Sequence, residues 1–343
     1  MLLVVLDHSM SFWTGEWFTK NPVFLTPHLS LISSFLGSFH IHSFTLISGY
    51  LFYYLKHEKE KYPQYFSFLK QKAKRLLVPF AFVAVAWVIP FSYLFFPFDL
   101  GEFINKYLLG TAPSQLWFLL MLYGVFLLFY PLSTFMKEHQ LAGGVIALSI
   151  YGIGLLGKTV LPNVFQLFTT CMYFPLFWLG FKLRQWGSAW LKRIPTICFI
   201  LLHLSLFALV QCLTPLNGAI FTLMQMGVSF LLHAVGALMS FAVLQKLANK
   251  IRWKESKIFH IFSKLSFPVY LFHQQVLYIL IFFLNGLLNP YAHVLVNFVG
   301  ALGISLGLST ILRKFQITRF LLGEKVTPAE RISYDNTERK FTK

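Results

Sequence analysis

The sequence predicts an all-α fold: a polytopic transmembrane helical bundle of about ten helices, the first of them short. Three observations carry that prediction. Of the 343 residues 57% are hydrophobic and 12% charged, and the mean hydropathy of +0.65 lies far above that of a soluble globular chain. Apolar stretches recur at the roughly 20-residue length a helix needs to cross about 30 Å of hydrocarbon, without the short alternating runs of barrel strands. The basic residues between these stretches fall on alternate loops, as the orientation rule for membrane helices requires.

Taken in order, the apolar segments cover residues 1–13, 29–55, 76–98, 115–136, 141–161, 164–183, 194–213, 218–245, 266–288 and 291–312. The first, "MLLVVLDHSMSFW", is about half the length needed to span. Either an earlier start or an abbreviated first helix accounts for it. Pro79, Pro90, Pro97, Pro175 and Pro268 sit near segment ends or kink the helices that hold them. Loops 56–75, 137–140, 182–193, 246–264 and the tail after 312 carry 26 of the 29 Lys and Arg residues. Lys20, Lys106 and Lys158 fall one to a loop on the other side. Both termini are therefore expected in the cytoplasm, and the bundle in the plasma membrane of a bacterial cell. The net charge of +17 then reflects orientation and attraction to anionic membrane lipid, which removes nucleic acid as a partner.

Residues 1–313 read as one transmembrane domain, and the polar stretch 314–343 as a cytoplasmic tail expected to be disordered. No second folded domain and no cleavable signal peptide is expected. Cys171, Cys198 and Cys212 all fall inside apolar segments without metal-type spacing, and are expected to be buried free thiols. No metal site is expected.

Ionisable side chains are costly in hydrocarbon, so those inside the segments are candidates for function. They are Asp7 and His8 on the first segment, His40 and His42 on the second, and His203, His233 and His273 further on. A neutral histidine satisfied by one interhelical hydrogen bond is the ordinary explanation for His42, His203 and His233. His40 and His42 lie about 200° apart around a helix, so only one of them can face a given cavity. His40 shares a face with Phe44 and Ser48.

Several of these stretches resemble the acyltransferase 3 family, membrane-bound acyltransferases that modify cell-surface and exported glycans. "FHIHSFTLISGYLF" resembles its "FHMPLFFFISGYLF" signature, with His40 on the family histidine and His42 in place of a proline. "LLVVLDHS" resembles "ILVVLGHS", which puts His8 on a family histidine and Asp7 where glycine is usual. "KAKRLLVPF" is similar to the basic element followed by "LLIPY", with Lys72 and Arg75 on its cationic positions. "SQLWFLLML" resembles "HLWFLLAL", matching Trp117 and replacing the histidine by Gln115. "PLFWLGFKL" is similar to "FFFLGYLL", and "SFPVYLFHQ" to "SFPIYLLHQ", which places His273 on the last recurring histidine. Six elements in order cover nearly the whole chain, most like the stand-alone polysaccharide O-acetyltransferases. Family members begin upstream with a basic residue and an "LDGLKGI"-like run, and this sequence starts after it.

The resemblance implies acetyl-CoA as acyl donor, not a permanently bound cofactor, and a carbohydrate acceptor, a polysaccharide or lipid-linked sugar. Acyl transfer to a hydroxyl needs a base, and His8 is the first candidate, with His40 as a second acid/base or a substrate-orienting group. Asp7 is a candidate partner of His8, although it lies about 100° away on the helix, where packing or capping is the alternative. His273 meets the thioester or bonds a neighbouring helix. Lys72 and Arg75, with Lys74 beside them, are expected to hold the phosphates of coenzyme A, and Trp117 to line the pantetheine or acyl channel. The competing class is a transporter or flippase for a glycan or small solute, and an inactive family member is a further alternative. Neither a visible internal repeat nor a matched pair of interrupted helices favours transport.

Overall fold

With no water to satisfy exposed amides in a bilayer, each crossing segment must close its hydrogen bonds within itself, and here each does so as a helix. The computed structural model describes residues 1–324 except 16, 18–20, 96, 188–190, 192 and 251–256, without side chains at 249–250 and 257–262. Lys20 and the tail beyond Glu324 thus lie outside the described residues, among which there is no strand.

The helices are α1 (Leu2–Met10), α2 (Pro27–Gly37), α3 (His40–Tyr53), α4 (Tyr65–Val83), α5 (Ile89–Phe95), α6 (Leu100–Phe103) and α7 (Trp117–Glu138). They continue as α8 (Gln140–Val160), α9 (Leu167–Gln185), α10 (Thr196–Leu213), α11 (Ala219–Lys250), α12 (Lys257–Leu284), α13 (Pro290–Leu312) and α14 (Gln316–Leu321). Among the described residues nine helical stretches are long and apolar enough to cross a membrane, the first being Pro27–Glu58 and the last Pro290–Leu312. The protein is a multi-pass helical membrane bundle. Helix α1 is the short tenth, nine residues continued by a 3-10 turn at Ser11–Thr14.

Three local features depart from the uninterrupted pattern. The second segment is two stacked helices, broken at Ser38–Phe39, where the Ser38 hydroxyl bonds both the Phe35 carbonyl (2.6 Å) and His203 (3.1 Å). Part of the expected disordered tail is folded: α14 packs back on α4, anchored by a fully buried Leu322. Of the three cysteines, all free, only Cys171 is buried, while Cys198 and Cys212 lie on the outward surface of α10. An apolar segment fixes that a helix crosses the membrane, but not which of its faces meets protein and which meets lipid.

Packing centres on α3 and α9, and two glycines allow it. A Cβ built on Gly49 would stand 1.9 Å from the Phe177 carbonyl oxygen, and one on Gly180 would stand 1.8 Å from that of Leu46. The two backbones touch, in the small-residue manner of membrane helix pairs, where van der Waals contact replaces the hydrophobic effect as driving force. Around this crossing Phe52, Phe129, Phe177 and Phe181 meet edge-on or tilted at centroid separations of 4.8–6.3 Å. Helix α1 is inserted on the other side, its Ser9 carbonyl accepting from Asn297 of α13. The indole of Trp87 donates to the Phe272 carbonyl (3.2 Å), which ties the α4 span to α12.

Replacing Gly180 by Ala is expected to cost about 2 kcal/mol or more, because a backbone carbonyl cannot yield to the new methyl. Gly152→Ala, where a Cβ meets nothing within 4 Å, should leave the thermal midpoint in detergent unchanged or slightly raised. Equal midpoints for the two variants would refute the crossing.

Candidate functional site

With α3 pressed on α9 through one face, its far face stays free. Ile41, Phe44, Ser48, Leu51 and Leu55, spaced three and four apart, line a cavity of about 1020 Å³. Helix α1 contributes Met1, Val4 and His8, α7 Trp117 and Phe118, and α12 Phe267 and Tyr270. Helix α4 contributes Gln71, Lys72, Lys74 and Arg75. The cavity therefore joins a cationic wall at the basic-loop end of the bundle to His8 within it.

At the cationic wall Lys74 and Arg75 are exposed and Lys72 is half-buried. The Lys72 ammonium lies 4.2 Å from the centroid of Phe126 and 5.3 Å from that of Phe68, so aromatic faces stabilise its charge. Among the described residues no carboxylate pairs with Lys72, Lys74 or Arg75.

At the inner end His8 meets His273, with Nδ1 of the first 2.8 Å from Nε2 of the second and the rings nearly parallel. The hydrogen-bond pattern sets both tautomers. His273 Nδ1 faces the carbonyls of Tyr270 (2.8 Å) and Val269 (3.2 Å), and so must carry the proton. Its Nε2 is then an acceptor, and His8 Nδ1–H donates to it. A neutral His8 keeps its lone pair on Nε2, the arrangement a proton acceptor on a cavity wall needs. On another side of the His8 ring stands Trp17 (centroids 5.2 Å apart), itself packed on Tyr278 (5.0 Å).

Asp7 points elsewhere. Its Oδ1 accepts from Ser33 (2.6 Å), and Oδ2 stands 3.7 Å from His40 Nε2, an ion-pair separation rather than a hydrogen bond. His40 Nδ1 donates to the Leu36 carbonyl (2.7 Å), leaving Nε2 unprotonated in the neutral ring. A carboxylate and a lone pair facing each other need one proton between them, so the buried pair acts as a unit. The ring partner of His8 is thus His273 and not Asp7. His40 does not line the cavity, although Phe44 and Ser48 do: it lies about 60° from the centre of that face of α3. His42 stacks on His233 (3.8 Å) with Tyr173 on its other side (5.1 Å), away from His8.

The turn leading into α7 forms a polar pair with α12, of which the sequence pointed to Gln115 but not to Gln275. Gln115 donates to the Leu271 carbonyl and to Gln275 Oε1, both at 2.8 Å, and Gln275 donates back at 3.1 Å. The Tyr270 hydroxyl also bonds the Gln115 carbonyl. Ser114, before it, is held at φ 53°, a left-handed conformation unusual for serine. The amide that stands where the resemblance has a histidine is saturated by this pairing. Among the described residues no group of three or more His, Cys, Asp or Glu is placed to hold a metal ion.

A family model described as "Acyltransferase domain" matches residues 1–314. No curated protein and no solved structure matches the chain.

Nitrogen NMR of protein labelled at histidine reads the tautomer directly. His8 is expected to hold its proton on Nδ1, and His273→Phe to shift it toward the Nε2–H form common in free imidazole. An unchanged His8 signal in that variant would contradict the coupling.

Proposed function

The chain belongs to the acyltransferase 3 family, and from that premise we propose that it transfers an acetyl group from acetyl-CoA to a sugar hydroxyl of a surface or exported polysaccharide. The observation that carries this reading is the single cavity joining Lys72, Lys74 and Arg75 to His8. Coenzyme A presents phosphates at one end and its thioester at the other, and a cavity cationic at one end and basic at the other fits that polarity. Trp117 and Phe118 give the pantetheine arm an apolar wall on the way. The reading places the cationic end and both termini in the cytoplasm of a bacterial cell, where the donor is made.

His8 is the catalytic base of this reading. Its Nε2 takes the proton of the acceptor hydroxyl as the oxygen attacks the thioester carbonyl. The new ester C–O bond forms, the C–S bond breaks, and the proton returns from Nε2 to the departing thiolate. His273 is a positioning residue: it fixes the tautomer and stabilises the imidazolium that appears midway. Asp7 and His40, off the cavity, brace α1 against the α2–α3 break rather than touch substrate.

Replacing His8 by Ala should lower kcat by about 10²- to 10⁴-fold and leave KM for acetyl-CoA nearly unchanged. Lys72→Gln with Arg75→Gln should do the opposite, raising that KM about tenfold with kcat little altered. Both are read as thiol release from acetyl-CoA by reconstituted protein supplied with polysaccharide. Thiol release untouched by His8→Ala would sink the mechanism.

A further inference from the structure

The family match ends at residue 314, yet the cavity wall does not. Gln316, Ile317, Phe320, Gly323 and Glu324 line it on the side that also carries Lys72, Lys74 and Arg75. We propose that residues 316–324 form the subsite for the adenosine end of coenzyme A, an inference resting on the donor reading above.

The segment is docked rather than draped. Leu322 is fully buried. Gly323 has φ +73°, and a Cβ there would stand 2.8 Å from both the Arg75 carbonyl oxygen and a Pro79 ring carbon, so glycine alone allows the approach to α4. Glu324 closes the turn by pairing with Arg313 (2.5 Å) and Arg319 (3.4 Å).

What this docking presents is chemically distinct from the wall it adjoins. Phe320, 46% exposed, is a large aromatic surface left open beside cations. A purine needs a π-face to stack on, and a nucleotide phosphate needs free cations nearby. Phe320 supplies the first and Lys72, Lys74 and Arg75 the second. Glu324 would be out of place in a site built for phosphate alone. Its carboxylate suits the exocyclic amine of adenine or a ribose hydroxyl as donor, with the Gln316 amide as a further partner. Its two arginines hold it away from collapse onto the phosphate-binding cations.

The test uses the full chain in detergent, with adenosine 3′,5′-bisphosphate as binding probe and two donors, acetyl-CoA and S-acetylpantetheine, which lacks the nucleotide. Phe320→Ala should weaken the probe about tenfold, the worth of one base stacked on one ring. It should raise KM for acetyl-CoA to match and leave transfer from S-acetylpantetheine unchanged. Equal losses with both donors would mean that α14 merely props the bundle and would overturn the subsite, as would unaltered KM values or a wild-type protein that does not bind the probe. Wild-type binding lost in Phe320→Ala, with acetyl transfer from neither donor, would uphold the subsite and overturn the reaction.

Discussion

The backbone contact of α3 with α9 at Gly49 and Gly180 is the constraint on which the rest of this bundle hangs. In lipid, helices gain little by hiding apolar surface, because the acyl chains are as apolar as leucine; they gain by touching closely. Two glycines let two backbones meet, and the phenylalanines around them fill the space that remains. Because that contact consumes one face of α3, the face carrying Ile41, Phe44 and Ser48 is turned toward α1 and α12 with nothing packed into it. The cavity is what a tight crossing on one side leaves open on the other.

Polar groups inside the bundle follow a matching economy. Several are held in pairs that also decide geometry: His8 with His273, Asp7 with Ser33 and His40, and Gln115 with Gln275. An unpaired group in such surroundings costs several kcal/mol, so the pairs hold the helices in register as firmly as packing does. Lys182 makes the point away from the cavity. Fully buried, it donates to Gln185 and to the Lys137 carbonyl near the end of α7, where unsatisfied helix carbonyls accept a cation readily.

Much of this was legible in the sequence, because bilayer thickness and the alternation of basic loops bound each span before any contact is known. The resemblance motifs named His8, His273, Lys72 and Trp117, and the structure puts His8, Lys72 and Trp117 on one cavity and His273 behind the first. What stayed hidden depends on rotation and on distance along the chain. That His40 turns to Asp7 while Ser48 faces the cavity follows from their different angles around α3, and which of those angles meets the cavity is set by packing that apolar periodicity does not register. Gln275 and Trp17 carry no signal of their own until α12 meets the turn before α7 and the chain that follows α1. The tail looked featureless because α14 owes its order to one leucine, one glycine and one ion-paired carboxylate.

His8 and His273 are separated by 265 residues. A ribosome adding residues at roughly 5–20 per second needs on the order of tens of seconds to travel between them. By the time residue 185 is made the chain carries both helices of the α3–α9 crossing and Lys72, yet His8 still lacks the neighbour that fixes its proton. Synthesis therefore completes the His8–His273 pair late, after both helices of the α3–α9 crossing. Until His273 is made, an unfinished chain has nothing to fix the proton of His8 on Nδ1.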